Sequence, residues 1–93
     1  MAKRKPEPSR LPKYFELFGW YGAAAILAAY ALVSFSLISP QGWLYQLLNF
    51  TGALGVLVIS YAKQARQPAL LNLVWAVIAL VALAGLALKA IYS

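Results

Sequence analysis

The chain contains no cysteine and no histidine, and its only two acidic residues, Glu7 and Glu16, precede the first long apolar segment. It therefore offers no thiolate or imidazole ligand for zinc or a transition metal, no cysteine nucleophile and no histidine base. A disulfide bond is excluded as well. We expect no catalytic residues, no cofactor and no metal site, and we expect that the protein is not an enzyme.

The sequence has instead three long segments without a charged residue, at residues 19–38, 43–61 and 70–88. At a rise of ~1.5 Å per residue, each can cross the ~30 Å hydrocarbon core of a bilayer as a helix. None has the polar face that a helix of a water-soluble protein needs. The sequence predicts an all-α fold: an integral membrane three-helix bundle over residues 19–92, preceded by a short disordered tail, basic and proline-rich, over residues 1–18.

The basic residues are distributed unevenly around the three predicted spans. Five precede the first span, two lie between the second and the third, and only Lys89 follows the third. Basic residues stay on the cytoplasmic side during insertion. We therefore expect a multi-pass protein of the cytoplasmic (inner) membrane, with the N-terminus and the second connection in the cytoplasm. The first connection, residues 39–42, and the C-terminus then lie outside.

The basic tail has two interpretations. Its cations could serve only to set the topology, or they could bind anionic lipid headgroups, which attract clustered Lys and Arg beside a span. The candidate headgroup contacts are Lys3, Arg4, Lys5, Arg10 and Lys13. We expect no nucleic-acid partner, because no folded basic face or stacking platform accompanies these charges.

Aromatic residues cluster near the predicted span ends. This pattern is typical of an aromatic belt, in which amphipathic rings anchor the helices at the headgroup level. The belt residues are Trp20, Tyr21, Trp43, Tyr45, Tyr61 and Tyr92.

Several side chains inside the spans could make polar contacts within the membrane. In an antiparallel arrangement Tyr30 and Ser34 fall in the outer half of the bilayer, and Gln46 and Asn49 lie at the same depth. An unpaired amide in hydrocarbon costs several kcal/mol, so we expect the amides to face the bundle or a protein interface. The candidates are Tyr30, Ser34, Gln46, Asn49, Ser60, Asn72 and Trp75.

These polar residues leave two functions open. As structural contacts between helices they favour a structural or interaction component of a membrane assembly, whose partners are the bilayer and either further copies of the chain or another membrane protein. Alternatively, Tyr30, Asn49 and Trp75 line a polar cleft, and the protein is a minimal homo-oligomeric transporter for a small polar solute. Three helices leave little room for such a cleft without a second copy.

The residues Tyr45-Gln46, Asn49 and Gly52, followed later by Asn72 and Trp75, resemble a known family. It is the uncharacterised CBU-type domain, a family of small three-helix bacterial membrane proteins, and the resemblance covers about residues 16–88. It implies a bacterial membrane protein whose molecular activity is not established.

A weaker resemblance is to the bacterial half-transporters of the small-sugar type. That family has a Pro-Gln pair inside its first helix, whereas Pro40-Gln41 lies here in the first connection. Its binding residues are therefore not transferred to this chain.

Overall fold

A computed structural model describes residues 11–92, and three α-helices make up most of this part of the chain. They are α1 (Lys13–Ser34), α2 (Trp43–Ala62) and α3 (Arg66–Tyr92). The prediction of an all-α chain with three helices is confirmed. Residues 1–10, which include Lys3, Arg4, Lys5 and Arg10 of the predicted tail, lie outside the described residues.

Helix α1 begins and ends earlier than the predicted first span. It starts directly after Pro12, whose backbone is extended at φ −58° and ψ 149°, a conformation compatible with the fixed φ of proline. Residues 13–18 are thus helical and are not part of a disordered tail. The prediction left them out because the absence of charge marks only the part of a helix that suits the hydrocarbon core. At the other end, Ser36 has a φ of +60°, and the N–H of Leu37 donates to the carbonyl oxygen of Leu32 at 2.8 Å.

The second connection is a tight reversal. Gln64 has a φ of +61°, and the N–H of Ala65 donates to the carbonyl oxygen of Ser60 at 2.8 Å. A residue in the left-handed region followed by such a bond is the common way to end a helix and satisfy its last carbonyls. Helix α3 starts at the next residue, Arg66, so α2 and α3 are antiparallel neighbours.

Helix α2 lies between the other two helices. It packs against both α1 and α3, whereas α1 and α3 scarcely touch within the described residues. The arrangement is therefore more open than the predicted bundle, because each outer helix packs only against α2. Helix α2 buries small and polar residues in these two contacts. These are Asn49, Gly52, Ala53, Gly55 and Ser60.

Glycines bring the backbones of α1 and α2 into direct contact. A Cβ atom added at Gly22 would lie 2.5 Å from the carbonyl oxygen of Gly52 and 2.8 Å from the backbone nitrogen of Val56. A Cβ atom added at Gly55 would lie 3.2 Å from the Cα of Gly22. Close approach of small residues is the main way for helices to associate in lipid, where burial of apolar side chains gives no advantage.

The interior of the described chain is made of small residues, and the large apolar side chains point away from it. Ala29, Ala53 and Ala79 are at most 2% exposed, whereas no large side chain in the described part of the chain is fully buried. Only 17 to 22% of the most apolar stretch of each helix is buried. By length and composition, all three helices can cross a membrane.

Candidate functional site

The most buried polar side chain of the described residues is the amide of Asn49, on the second turn of α2, with 4% of its surface exposed. Its Nδ2 donates to the carbonyl oxygen of Tyr45 at 2.8 Å, and its Oδ1 accepts a hydrogen bond from Nε1 of Trp75 at 3.2 Å. We call this set of contacts the polar junction. It connects α2 to α3, and it still leaves one N–H and one lone pair of the amide without a bond from these partners.

An open groove of about 480 Å³ lies over the polar junction, between α1 and α3. The two outer helices scarcely touch each other, which leaves this space open. We call it the α1–α3 groove. Its lining residues are Ala23, Ile26, Leu27, Tyr30, Tyr45, Asn49 and Trp75.

The chemistry of the α1–α3 groove is that of a binding surface. Its walls are alanine, isoleucine and leucine, and the Asn49 amide is the single carboxamide in its lining. Tyr30 is 69% exposed and forms the rim. The lining contains no nucleophile paired with a base and no carboxylate, so the groove is suited to holding an apolar group with one or two hydrogen bonds.

Of the predicted polar residues, the structure brings Tyr30, Asn49 and Trp75 together in this groove. Ser34 is exposed at the end of α1. Gln46 is half-buried and donates to the carbonyl oxygen of Pro40, in the first connection, at 3.3 Å.

Two further candidates, Ser60 and Asn72, are not joined by a side-chain hydrogen bond in the part of the chain that the structure describes. Ser60 is 8% exposed at the end of α2. The Nδ2 of Asn72 donates instead to the carbonyl oxygen of Pro68, one turn earlier in α3, at 2.9 Å. Lys13, the described member of the basic tail set, is the exposed first residue of α1.

The sequence analysis did not predict the interhelical hydrogen bond between Tyr21 and Thr51. The Tyr21 hydroxyl lies 2.5 Å from Oγ1 of Thr51, and Thr51 donates its own proton to the carbonyl oxygen of Leu47 at 2.9 Å. Because a hydroxyl has one proton, Tyr21 is the donor between the two side chains. Comparison of residue depths on antiparallel helices could indicate this pair, but the position of Tyr21 near a span end favoured the aromatic belt instead.

An ion pair between Glu16 and Lys63 was also missed. Nζ of Lys63 lies 2.9 Å from Oε2 of Glu16, and both side chains are about 40% exposed, at 39% and 42%. An exposed pair of this kind contributes ~0–1 kcal/mol. It joins the start of α1 to the end of α2, so both charges lie at the same end of the helices.

These features define the class of the protein: an all-helical chain with three helices apolar enough to cross a membrane and an open, mainly apolar groove between the outer two. A family model matches residues 15–90, which include nearly all of the three helices, and the chain belongs to that family, the uncharacterised CBU-type domain. No curated protein and no solved structure matches the chain.

Proposed function

We propose that the protein spans the bacterial cytoplasmic membrane three times and acts, without enzymatic activity, as an interaction component of a membrane assembly. Its binding surface for another membrane molecule is the α1–α3 groove. The observation that carries this proposal is the groove itself, which opens sideways between two apolar helices above a buried amide with unused hydrogen-bonding capacity.

The positions of charged and aromatic side chains support the membrane placement. Lys13 and Arg66 begin α1 and α3 at one end of the helices, and Lys89 lies near the other end. This asymmetry supports a cytoplasmic location for the first end. Tyr61 and Tyr92 are 79% and 81% exposed at opposite helix ends, positions at which aromatic rings anchor a protein to the headgroup region.

A homo-oligomeric transporter for a small polar solute is the second candidate function. It is favoured by the presence of Tyr30, Asn49 and Trp75 in one groove. The remaining lining is apolar, and the groove is open on one side, so a solute path would need a second copy to close it. The interaction role requires neither a polar path nor a closed cavity, and we favour it for that reason.

Photo-cross-linking in intact membranes tests the interaction role. We expect a photoreactive phenylalanine derivative in place of Leu27, a groove residue that is 67% exposed, to label one defined partner molecule. Leu80 is 51% exposed and lies on the opposite side of α3 from Trp75, since five residues turn a helix by about 500°. It is the matched control, and we expect only diffuse labelling from it. The masses of the adducts identify the products. The same products in the same yields from both positions would contradict the proposed role of the groove.

A further inference from the structure

The α1–α3 groove is one end of a longer furrow. A second cavity of about 250 Å³ shares Tyr45, Asn49 and Trp75 with the groove and extends along α3 to Ile78. A third cavity of about 410 Å³ shares Gln46 with the second and ends at Lys89. We call the three together the α3 furrow.

The α3 furrow follows one face of its helix. Trp75, Ala82 and Lys89 are separated by seven residues each, a spacing that keeps side chains on the same side. Fourteen residues at ~1.5 Å each give a furrow of ~21 Å. Half of a bilayer with its headgroups, ~40–45 Å thick in total, has the same extent. The furrow therefore has the length of one leaflet, from the headgroups at Lys89 to the midplane at Trp75.

The two ends of the furrow differ in chemistry. At the Trp75 end the lining is mainly apolar, with Ala23, Ile26 and Leu27 of α1 facing the space. At the other end the lining contains the Lys89 ammonium and the amides of Gln41 and Gln46. The Oε1 atom of Gln41 accepts a hydrogen bond from Ser39, which leaves the Gln41 NH₂ group as a donor.

No acidic side chain of the described residues can neutralise Lys89. The sequence has no acid after Glu16, and Glu16 pairs with Lys63 at the opposite end of the helices. A ligand that complements the furrow therefore carries a negative charge at the outer surface and an apolar chain towards the midplane.

We propose that the α3 furrow binds an anionic phospholipid of the outer leaflet. Lys89 and the Gln41 amide contact its phosphate group, and an acyl chain lies along α3 as far as the polar junction, where it contacts Trp75. The inference rests on the proposed membrane placement. It names the membrane molecule that occupies the groove.

Gly85 has a special place in the furrow. It lines the cavity at the Lys89 end, and a Cβ atom added there would meet nothing within 4 Å. The fold therefore accepts a larger side chain at this position, and that side chain would occupy the space assigned to the lipid. Gly85→Leu is thus a variant that blocks the furrow without disturbing helix packing.

Fluorescence quenching of Trp75 by brominated lipids tests the proposal. The full chain carrying Trp20→Phe and Trp43→Phe keeps Trp75 as its single tryptophan. It is reconstituted into vesicles of phosphatidylcholine with increasing phosphatidylglycerol brominated in the lower half of the acyl chain, and into the reverse mixture. We expect half-maximal quenching at an about fivefold lower mole fraction of the anionic lipid, the factor that one basic residue near an anionic surface contributes.

Matched variants locate the headgroup and the chain. We expect Lys89→Gln to abolish the fivefold preference, and Lys63→Gln, the same change at the opposite end, to leave it intact. We expect Gly85→Leu to reduce quenching by either lipid. Equal quenching curves for the two lipids, an unchanged preference in Lys89→Gln, or unchanged quenching in Gly85→Leu would overturn the proposal.

A variant with Trp20 as its single tryptophan, measured with lipids brominated in the upper half of the acyl chain near the predicted aromatic belt, separates this inference from the proposed membrane placement. Trp20 is 72% exposed on α1. If Trp20 is quenched and Trp75 is shielded from both lipids, protein covers the furrow and only the lipid proposal is rejected. If neither tryptophan is quenched, the chain does not lie in the bilayer, and the proposed function fails with it.

Discussion

Gly22→Ala is expected to destabilise the packing of α1 on α2 by ~1–3 kcal/mol, the usual cost of inserting a methyl group into a closely packed interior. The new methyl carbon would lie 2.5 Å from the carbonyl oxygen of Gly52 and 2.8 Å from the backbone nitrogen of Val56. Both obstacles are backbone atoms, so rotation of a side chain cannot relieve the contact and the two helices must separate. Unfolding in mild detergent, titrated with dodecyl sulfate and followed by circular dichroism, measures the loss.

Gly85→Ala is the matched control for Gly22→Ala. Both glycines are inside helices, and replacement of either by alanine improves helix propensity by up to ~1 kcal/mol. At Gly85 nothing lies within 4 Å of the added atom, so we expect unchanged or slightly increased stability. Equal unfolding midpoints for the two variants would show that the glycine contact between α1 and α2 is absent in the folded protein.

Asn49→Asp is expected to be the most damaging single change in the polar junction. The amide nitrogen of Asn49 donates to the carbonyl oxygen of Tyr45 at 2.8 Å, and a carboxylate would place an acceptor against that acceptor. A charged carboxylate near the centre of a membrane helix also costs ~2.5–3.5 kcal/mol on insertion scales, and somewhat less towards the interface. The detergent titration and the yield of inserted protein both measure this effect.

Asn49→Leu provides the comparison, because it removes the amide without introducing a charge. Interhelical hydrogen bonds in membranes contribute ~0.6 kcal/mol on average and at most ~1.7 kcal/mol, so we expect a modest loss of stability and normal insertion. A cycle with Trp75→Phe isolates the coupling through the 3.2 Å bond between Trp75 and Asn49. If Asn49→Asp proves as stable as Asn49→Leu, the side chain faces water in the folded protein and the polar junction is misplaced.

Length and absence of charge were sufficient to predict the three helices. The predicted second span, residues 43–61, differs from α2 by one residue at its end. The limits of α1 were less predictable, because they depend on Pro12 and on the positive φ of Ser36. Hydropathy detects neither a helix start that follows a proline nor a terminal turn that is mostly apolar, as residues 35–38 are.

The positions of the candidate-site residues along the helix axes were predictable from the sequence. The directions in which their side chains point were less so. Rise per residue placed Tyr30 level with Asn49, and the structure brings both into one groove with Trp75. The same arithmetic cannot tell whether an amide bonds to a neighbouring helix or to its own backbone. Asn72 bonds within α3, to Pro68, and Gln46 bonds to the connection at Pro40. Rotation of a helix about its axis decides between these outcomes, and the glycine contacts limit that rotation for α1 and α2 only.

The ion pair of Glu16 and Lys63 illustrates a different limit. Both residues lie outside the charge-free segments, and Lys63 served only as a topological signal in the sequence. The pair forms because α1 starts before the predicted span and brings Glu16 level with the end of α2. A prediction of contacts at this end of the helices therefore needed the true start of α1.

Labelling of engineered cysteines in intact cells tests the central claim, that three helices cross the membrane with the N-terminus in the cytoplasm. The chain has no cysteine of its own, and Gln41 and Gln64 are exposed in the first and second connections. We expect Gln41→Cys to react with a membrane-impermeant thiol reagent in intact cells, and Gln64→Cys to react only after permeabilisation. Labelling of Gln64→Cys alone in intact cells would reverse the orientation, and equal labelling of both before and after permeabilisation would contradict the membrane-spanning arrangement itself.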